Sequence, residues 1–169
     1  EQAAFVEPIS VGIQAAHRAR LAPGMTVAIL GSGPIGLVTY LVSRAYGATE
    51  CYLFDVLDHR LALGKSLGAT ATINSKKTEP VAALMELTGG RGVDVLFDTS
   101  GSSTACRIAP ELAARGGVLT LVGWPEARSF DYPIEVVIEK ELDVRGVNRY
   151  CNTFPEAIAL LAAGRLDVS

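Results

Sequence analysis

Cysteine and histidine are scarce in this chain, which has three cysteines and two histidines among 169 residues. Cys51, Cys106 and Cys151 lie far apart, are odd in number and form no Cys-x-x-Cys pair. The pattern supports neither a disulfide framework nor a structural zinc site, and a reduced, cytoplasmic protein is the simplest interpretation. His17 and His59 stand alone without a partner at metal-ligand spacing, so we predict that this chain binds no metal itself.

Long apolar runs and basic stripes are absent too. The longest apolar helix candidate, 35–48, is interrupted by Ser43 and Arg44 and falls short of the roughly 18 apolar residues of a membrane span. The 15 basic and 18 acidic residues are well mixed, and the net charge of −3 argues against a nucleic-acid partner. The first residues lack the basic head and apolar core of an export signal. Because the chain has no initiator Met, we expect it to be a piece of a longer protein.

What the sequence does have is a regular alternation of strand-like and helix-like segments, which is typical of a parallel sheet covered by helices on both faces. The predicted strands are 25–30, 50–55, 71–73, 93–98, 118–122 and 142–147. The predicted helices are 8–21, 34–47, 58–67, 78–88, 102–114 and 155–163. We expect Pro110 to kink or split the fifth helix, and 125–133 to form a loop. The chain therefore predicts one α/β domain over 1–169, a Rossmann doubly wound six-stranded parallel sheet in the order 3-2-1-4-5-6.

A glycine-rich turn follows the first predicted strand. Gly31 allows the sharp turn, Gly33 lets a pyrophosphate approach the backbone, and Gly36 lets the next helix lie close to the strand. Pro34 falls at the first helical position, where its missing N–H costs nothing. The free N–H groups and the positive dipole end of the helix then face the phosphates of a dinucleotide.

An acid follows at the spacing that such a turn requires. Asp55 ends the second predicted strand, 19 residues after Gly36, and we expect it to accept hydrogen bonds from the adenosine ribose. The same carboxylate repels a 2′-phosphate by about 4 kcal/mol per charge pair at close range, which favours NAD over NADP. Arg60 lies early in the next helix, either as a solvated residue or within reach of the adenine or ribose.

Ligands of doubly wound sheets bind beyond the carboxyl ends of the strands, where the strand order reverses. The other residues expected there follow the fourth and fifth strands: Thr99, Ser100, Gly101, Val122, Gly123 and Trp124. Asp94 and Asp98 bracket the fourth strand, and we assign them capping and loop hydrogen bonds rather than acid–base chemistry. The pattern leaves two alternatives to a dehydrogenase open: a methyltransferase that binds adenosyl-methionine, and a non-catalytic module that senses NAD(H).

Three stretches of the sequence resemble the medium-chain zinc-dependent dehydrogenases, and among them the sorbitol (polyol) dehydrogenases. They are Glu7-Pro-Ile-Ser-Val-Gly12, Gly31-Ser-Gly-Pro-Ile-Gly36 and Arg145-Gly-Val-Asn-Arg-Tyr-Cys-Asn-Thr153. The similarity runs over 5–168 and implies that this chain is the cofactor domain alone. Its flanks, 1–20 and 148–169, are then expected to border a catalytic domain that lies outside the chain.

The resemblance also implies roles for particular residues. The residues expected to contact NAD are Ile35, Asp55, Arg60, Val122, Gly123, Trp124, Val147, Asn148 and Arg149. Arg149 and Tyr150 resemble residues that meet the polyol, and Glu7 resembles a glutamate beside the catalytic zinc and its water. Asn148 differs from the aromatic residue at that position in animal sorbitol dehydrogenases, so the resemblance does not identify the polyol.

The implied reaction is hydride transfer between a secondary alcohol of a polyol, or the matching ketose, and NAD. Zinc acts as a Lewis acid in such enzymes, and the resemblance places its ligands upstream of this chain. We therefore expect no turnover by this chain alone. The predicted strand 142–147 is a sheet edge, which invites pairing with a second copy, so a homo-oligomer is expected.

Overall fold

The computed structural model describes residues 2–167, in which six strands form one parallel sheet. The strands are β1 (Thr26–Leu30), β2 (Glu50–Asp55), β3 (Ala71–Asn74), β4 (Val93–Asp98), β5 (Ala113–Leu121) and β6 (Asp143–Gly146). Their order is β3-β2-β1-β4-β5-β6, and every neighbouring pair is parallel. The predicted doubly wound fold is confirmed. Residues 1, 168 and 169 of the two predicted flanks lie outside the described part.

Helices cover both faces of the sheet. They are α1 (Val6–Ala19), α2 (Pro34–Ala45), α3 (Asp58–Ser66), α4 (Pro80–Leu87), α5 (Ser103–Leu112), α6 (Ile134–Glu139) and α7 (Phe154–Ala162). Residues of α1, α2 and α3 pack on one face, and residues of α4 and α5 pack on the other. α7 lies across the outer side of α1 and α2, where its Ala157 is fully buried. A short 3₁₀ helix, Gln2–Phe5, precedes α1.

Both faces of β1 are buried, which explains its uninterrupted apolar run. Val27 and Ile29 belong to the core beneath α1 and α2, whereas Ala28 and Leu30 belong to the core beneath α4 and α5. Successive side chains of a strand point to opposite faces, so a strand covered on both sides must be apolar throughout. The same reasoning accounts for the long apolar runs of β2 and β4.

The second half of the chain departs from the sequence prediction at three places. α5 is not split at Pro110 but continues to Leu112, because the proline lies in the last turn and few helical bonds depend on it. The Lys140 ammonium bonds to the carbonyl oxygens of Pro110, Glu111 and Ala113 at 3.1, 2.7 and 2.8 Å, which caps this helix end. β5 begins at Ala113, earlier than predicted, and α6 was not predicted.

Within residues 2–167 no helix is both long enough and apolar enough to cross a membrane.

Candidate coenzyme site

The glycine turn joins β1 to α2 at the carboxyl edge of the sheet. Gly31 has a φ of +89°, a left-handed conformation that favours glycine, and its N–H donates to the carbonyl oxygen of Phe54 at 2.9 Å. The Thr99 hydroxyl, which follows β4, donates to the carbonyl oxygens of Leu30 and Gly31 at 3.0 and 2.8 Å. α2 begins at Pro34, as predicted, with Gly33 as its N-cap. The turn is therefore held from both neighbouring strands.

The other two glycines differ in what surrounds them. A Cβ on Gly36 would lie 1.8 Å from the carbonyl oxygen of Gly31, so the helix cannot pack this closely with any other residue there. A Cβ on Gly33 would have Arg60 Nη1 as its nearest neighbour, at 3.6 Å, which is an ordinary van der Waals contact. The protein's own packing therefore does not require glycine at this position.

A cavity of about 670 Å³ opens beside this turn. It brings together six of the residues predicted from the sequence: Gly31, Gly33, Asp55, Arg60, Thr99 and Ser100. Its remaining wall comes from the start of α3, the segment after β3 and the first half of α5, and includes Val56, Ser75, Lys76, Glu79, Ala105 and Ile108. The cavity thus has a glycine-lined polar side and a partly apolar side.

Asp55 is buried, and its carboxylate already has several donors. Oδ2 accepts the N–H of Ser32 at 2.8 Å, and Oδ1 accepts the N–H groups of Val56 and Leu57 at 2.7 and 2.9 Å. Arg60 Nη1 lies 3.5 Å from Oδ2, which is a weak contact. The acid therefore also holds the glycine turn and the entry to α3, a structural role that the spacing rule does not reveal. Acceptor capacity for a ribose hydroxyl remains mainly on the Arg60 side.

The loops after β4 and β5 form a second part of the carboxyl edge. The N–H groups of Val122 and Gly123 both donate to the carbonyl oxygen of Asp98 at 2.8 Å. A Cβ on Gly101 would lie 2.4 Å from the carbonyl oxygen of Trp124, so these loops touch. The Trp124 residue is 78% exposed. Val122, Gly123 and Trp124 do not line the cavity, although Thr99 and Ser100 after β4 do.

The segment after β6 is strained where the resemblance places substrate contacts. Arg149 and Asn152 have φ values of +58° and +56°, which are uncommon for residues other than glycine. The rings of Tyr150 and Phe154 lie 5.1 Å apart, and Val147 N–H donates to the carbonyl oxygen of Leu121 at 2.9 Å. Arg20 and Glu141, which follow α1 and α6, have the same left-handed conformation, so it does not by itself mark a functional segment.

Four further predicted residues lie outside the cavity. Pro34 is exposed and Ile35 is half-buried on α2, while Gly36 is buried against the turn. Glu7 is exposed in the first turn of α1. The segment 147–150 also contributes nothing to the cavity wall.

The two aspartates of β4 have the hydrogen-bonding roles assigned to them from the sequence. Asp94 accepts the N–H and the hydroxyl of Thr26, both at 2.9 Å. Asp98 accepts the N–H and the hydroxyl of Ser100 at 2.9 and 2.7 Å. Burial raises the pKa of Asp98, and the bonds from Ser100 only partly offset this effect.

Sequence analysis missed the wall that follows β3, which includes Lys76 and Glu79. The signal was present, because Lys76 lies just beyond a strand's carboxyl end, as the predicted site residues do. The sequence prediction uses that rule for β1, β2, β4 and β5 and omits β3.

Within residues 2–167, no group of three or more His, Cys, Asp or Glu side chains is arranged to hold a metal ion. The described residues therefore do not fit a zinc site.

Comparison with known proteins gives a consistent picture. A family profile described as "Zinc-binding dehydrogenase" matches residues 34–163. The chain is 39% identical over 167 residues to a sorbitol dehydrogenase of Bacillus subtilis, and 40% identical over 172 residues to an L-idonate 5-dehydrogenase of Vitis vinifera. Each match covers 99% of this chain and 47% of the relative, so the chain spans about half the length of these curated relatives.

A solved structure shows the same architecture. It is a protein of Sinorhizobium meliloti described as a zinc-binding dehydrogenase bound to NADP, with a TM-score of 0.93 and 28% identity. The match covers 99% of this chain and 50% of that one.

Proposed function

The chain belongs to the zinc-binding dehydrogenase family, and we propose that it is the coenzyme-binding domain of an NAD-dependent, zinc-dependent polyol dehydrogenase. The single observation that carries the proposal is the cavity in which Gly31 and Gly33 of the glycine turn meet Asp55. The whole protein would move a hydride between a secondary alcohol of a polyol, or the matching ketose, and the coenzyme. Zinc would be held by the part of the protein that this chain does not span.

The residues around the cavity fit a nicotinamide dinucleotide. The N–H groups at the start of α2 and the bare backbone of Gly33 suit a pyrophosphate, because donors and a positive dipole end meet there. Asp55 and Arg60 suit the adenosine ribose, and the apolar wall at Ala105 and Ile108 suits the adenine. When bound, the coenzyme supplies a nicotinamide ring that accepts or returns a hydride.

The family resemblance extends the proposal beyond the cavity. The nicotinamide half would lie along the exposed carboxyl edge, against Ile35, Val122, Gly123, Trp124, Val147, Asn148 and Arg149. Arg149 and Tyr150 would meet the polyol, and Glu7 would lie beside the zinc site of the other domain. Arg149 lies just beyond β6 and is exposed, so its side chain is accessible to a ligand at this edge.

The choice of NAD over NADP rests on Asp55, whose charge opposes a 2′-phosphate. The NADP in the Sinorhizobium meliloti structure supports a dinucleotide of this class without deciding between the two. Because the catalytic metal would be held elsewhere, we propose that this chain alone binds coenzyme but does not turn over substrate.

Calorimetric titration of this chain tests the proposal. We expect NADH to bind with 1:1 stoichiometry and ADP-ribose to bind with comparable affinity, because the cavity lies on the adenosine side of the turn. S-adenosyl-methionine serves as the control for the methyltransferase alternative and should give no binding heat. NADH should also quench the fluorescence of Trp124. Absence of heat with both NADH and ADP-ribose would overturn the proposed function.

We further propose that two copies pair through β6. This strand is an edge of the sheet and carries the half-exposed Val144, and the neighbouring α6 exposes Ile134 and Ile138. Unpaired strand edges with apolar neighbours favour association.

The proposed compartment is the cytoplasm. Cys51, Cys106 and Cys151 are all free thiols, and burial raises the pKa of the first two to about 12 and about 11, so they are unreactive. Free cysteines are typical of a reducing environment.

A further inference from the structure

The cavity wall that follows β3 adds a charge to the ribose end of the site. Asn74 at the end of β3 pairs in register with Asp55 at the end of β2. Ser75 and Lys76 come next along the chain, and both line the same cavity as Asp55 and Arg60. The parallel register of β2 and β3 therefore places Lys76 near the acid that we assign to the ribose.

The two carboxylates of the cavity are already bonded to backbone N–H groups. Asp55 accepts three of them, and Glu79 caps α4 by accepting the N–H groups of Val81 and Ala82 at 3.3 and 2.6 Å. The Asp55 side chain is only 4% exposed, and the Arg60 guanidinium lies next to it. The carboxylates are thus stabilised by neutral donors, and the Arg60 guanidinium partly balances the Asp55 charge that a 2′-phosphate would meet.

The two cationic side chains of the cavity, Arg60 and Lys76, in contrast have N–H donors that residues 2–167 leave free to bind a ligand. Arg60 makes one long contact, at 3.5 Å, and 42% of its side chain is exposed. Lys76 uses its backbone N–H to bond Asn74 Oδ1 at 3.0 Å, but its ammonium makes no hydrogen bond or salt bridge to residues 2–167. The next residue, Lys77, is different, because its ammonium pairs with Asp58 Oδ2 at 2.6 Å and does not line the cavity.

We propose that Lys76 is a coenzyme-specificity residue that gives the ribose end of this cavity affinity for a 2′-phosphate, so that the chain binds NADPH as well as NADH. The inference rests on the proposed function, since it places the adenosine ribose at Asp55. A phosphate monoester carries close to two negative charges and strong acceptor oxygens, and the exposed ammonium of Lys76 together with Arg60 can donate to them. Asp55 still makes the site bind NADH more tightly than NADPH, and Lys76 makes that difference in affinity smaller.

The test compares Lys76→Gln with Lys77→Gln, which removes the same charge one residue away. Dissociation constants for NADH, NADPH and the minimal pair 5′-AMP and 2′,5′-ADP are measured by calorimetry on the whole chain. We expect Lys76→Gln to weaken the binding of NADPH and 2′,5′-ADP about fivefold, while the dissociation constants of NADH and 5′-AMP change by no more than about twofold. Lys77→Gln should leave the dissociation constants of all four ligands unchanged. Added salt should weaken the binding of NADPH more than the binding of NADH.

Each outcome decides something. If NADPH binds and Lys76→Gln does not change its affinity relative to NADH, Lys76 has no part in specificity. If NADH binds but NADPH does not, the proposed 2′-phosphate affinity is absent. If neither coenzyme binds, it is the proposed function that fails, and the inference fails with it.

Discussion

Three glycines of one turn are needed for three different physical reasons. Gly31 adopts a positive φ, Gly36 leaves room for the carbonyl oxygen of Gly31, and Gly33 does neither. The backbone of Gly33 has a φ of −71° and a ψ of −175°, a conformation open to any residue. Our proposal assigns Gly33 to the approach of a ligand, so the proposed binding role of the turn can be separated from its folding role.

Substitution of Gly33 and Gly36 by alanine makes that separation measurable. Gly36→Ala should destabilise the chain by at least about 3 kcal/mol, because backbone must move to admit the Cβ. Gly33→Ala should change the free energy of unfolding by at most about 1 kcal/mol. It should nevertheless weaken NADH binding at least tenfold, on the order of 1.4 kcal/mol, because the Cβ blocks the pyrophosphate. Urea unfolding measures the change in stability, and calorimetry measures the change in NADH affinity. A Gly33→Ala protein that binds NADH normally would contradict our account of the turn.

At the scale of elements, Asp94 joins β4 to β1. Its carboxylate accepts two bonds from Thr26 and pairs with Arg91, and its own N–H donates to the Thr26 hydroxyl at 3.0 Å. Burial raises the pKa of Asp94, but the bonds from Arg91 and Thr26 together outweigh this effect and leave the pKa below its usual value. This link fixes the start of the strand pair whose far ends carry the glycine turn and Thr99.

The lowered pKa of Asp94 makes its contribution to stability depend on pH. An acid whose pKa is lower in the folded state stabilises the fold fully above its unfolded pKa, about 3.9. It loses that contribution progressively as the pH falls from there through the lower folded pKa. Asp94→Asn should therefore cost about 1–2 kcal/mol at pH 7, and the difference from the native chain should shrink toward pH 3. Urea unfolding between about pH 7 and pH 3 measures this difference in stability, and Glu86→Gln at an exposed position is the control. A difference that is constant with pH would show that ionisation of Asp94 is not involved.

At the scale of the whole molecule, the β6 edge of the sheet is more exposed than its centre. β2 and β4 flank β1 in a fully covered centre, whereas β6 ends the sheet as a short strand with mainly exposed residues. Exposed apolar residues lie beside this edge on α6, at Ile134 and Ile138. An edge of this kind supports the proposed pairing of two copies through continuous β-structure.

Light scattering after size-exclusion chromatography tests that pairing. We expect the native chain to be a dimer and Val144→Lys to be monomeric, because a lysine at the strand edge opposes pairing. NADH affinity should not change, since Val144 does not line the cavity. Leu63→Lys, on the exposed side of α3, is the matched control and should remain dimeric. A native chain that is monomeric in this experiment would contradict the proposed pairing through β6.

Much of the fold could be predicted because its signals are local. Continuous apolar runs marked β1, β2 and β4, glycine followed by proline marked the start of α2, and the alternation of strands and helices led to the strand order. Errors came where local signals are weak: α6 follows a proline-containing loop, and β5 starts in an Ala-Ala-Arg-Gly-Gly stretch with little strand character. There the tertiary packing decided the structure against local propensity.

The sequence by itself determined the glycine turn and the acid that follows it, because each depends on residues close together in the chain. The alternation of strands and helices indicated the sheet order. Only the tertiary structure decided what surrounds them. Asp55 accepts the N–H groups of Ser32, Val56 and Leu57, while Lys76 at the cavity wall has an ammonium that pairs with no residue of the described range 2–167. The physical reason is that hydrogen bonds and charge pairs depend on distances between segments that only the folded sheet brings together.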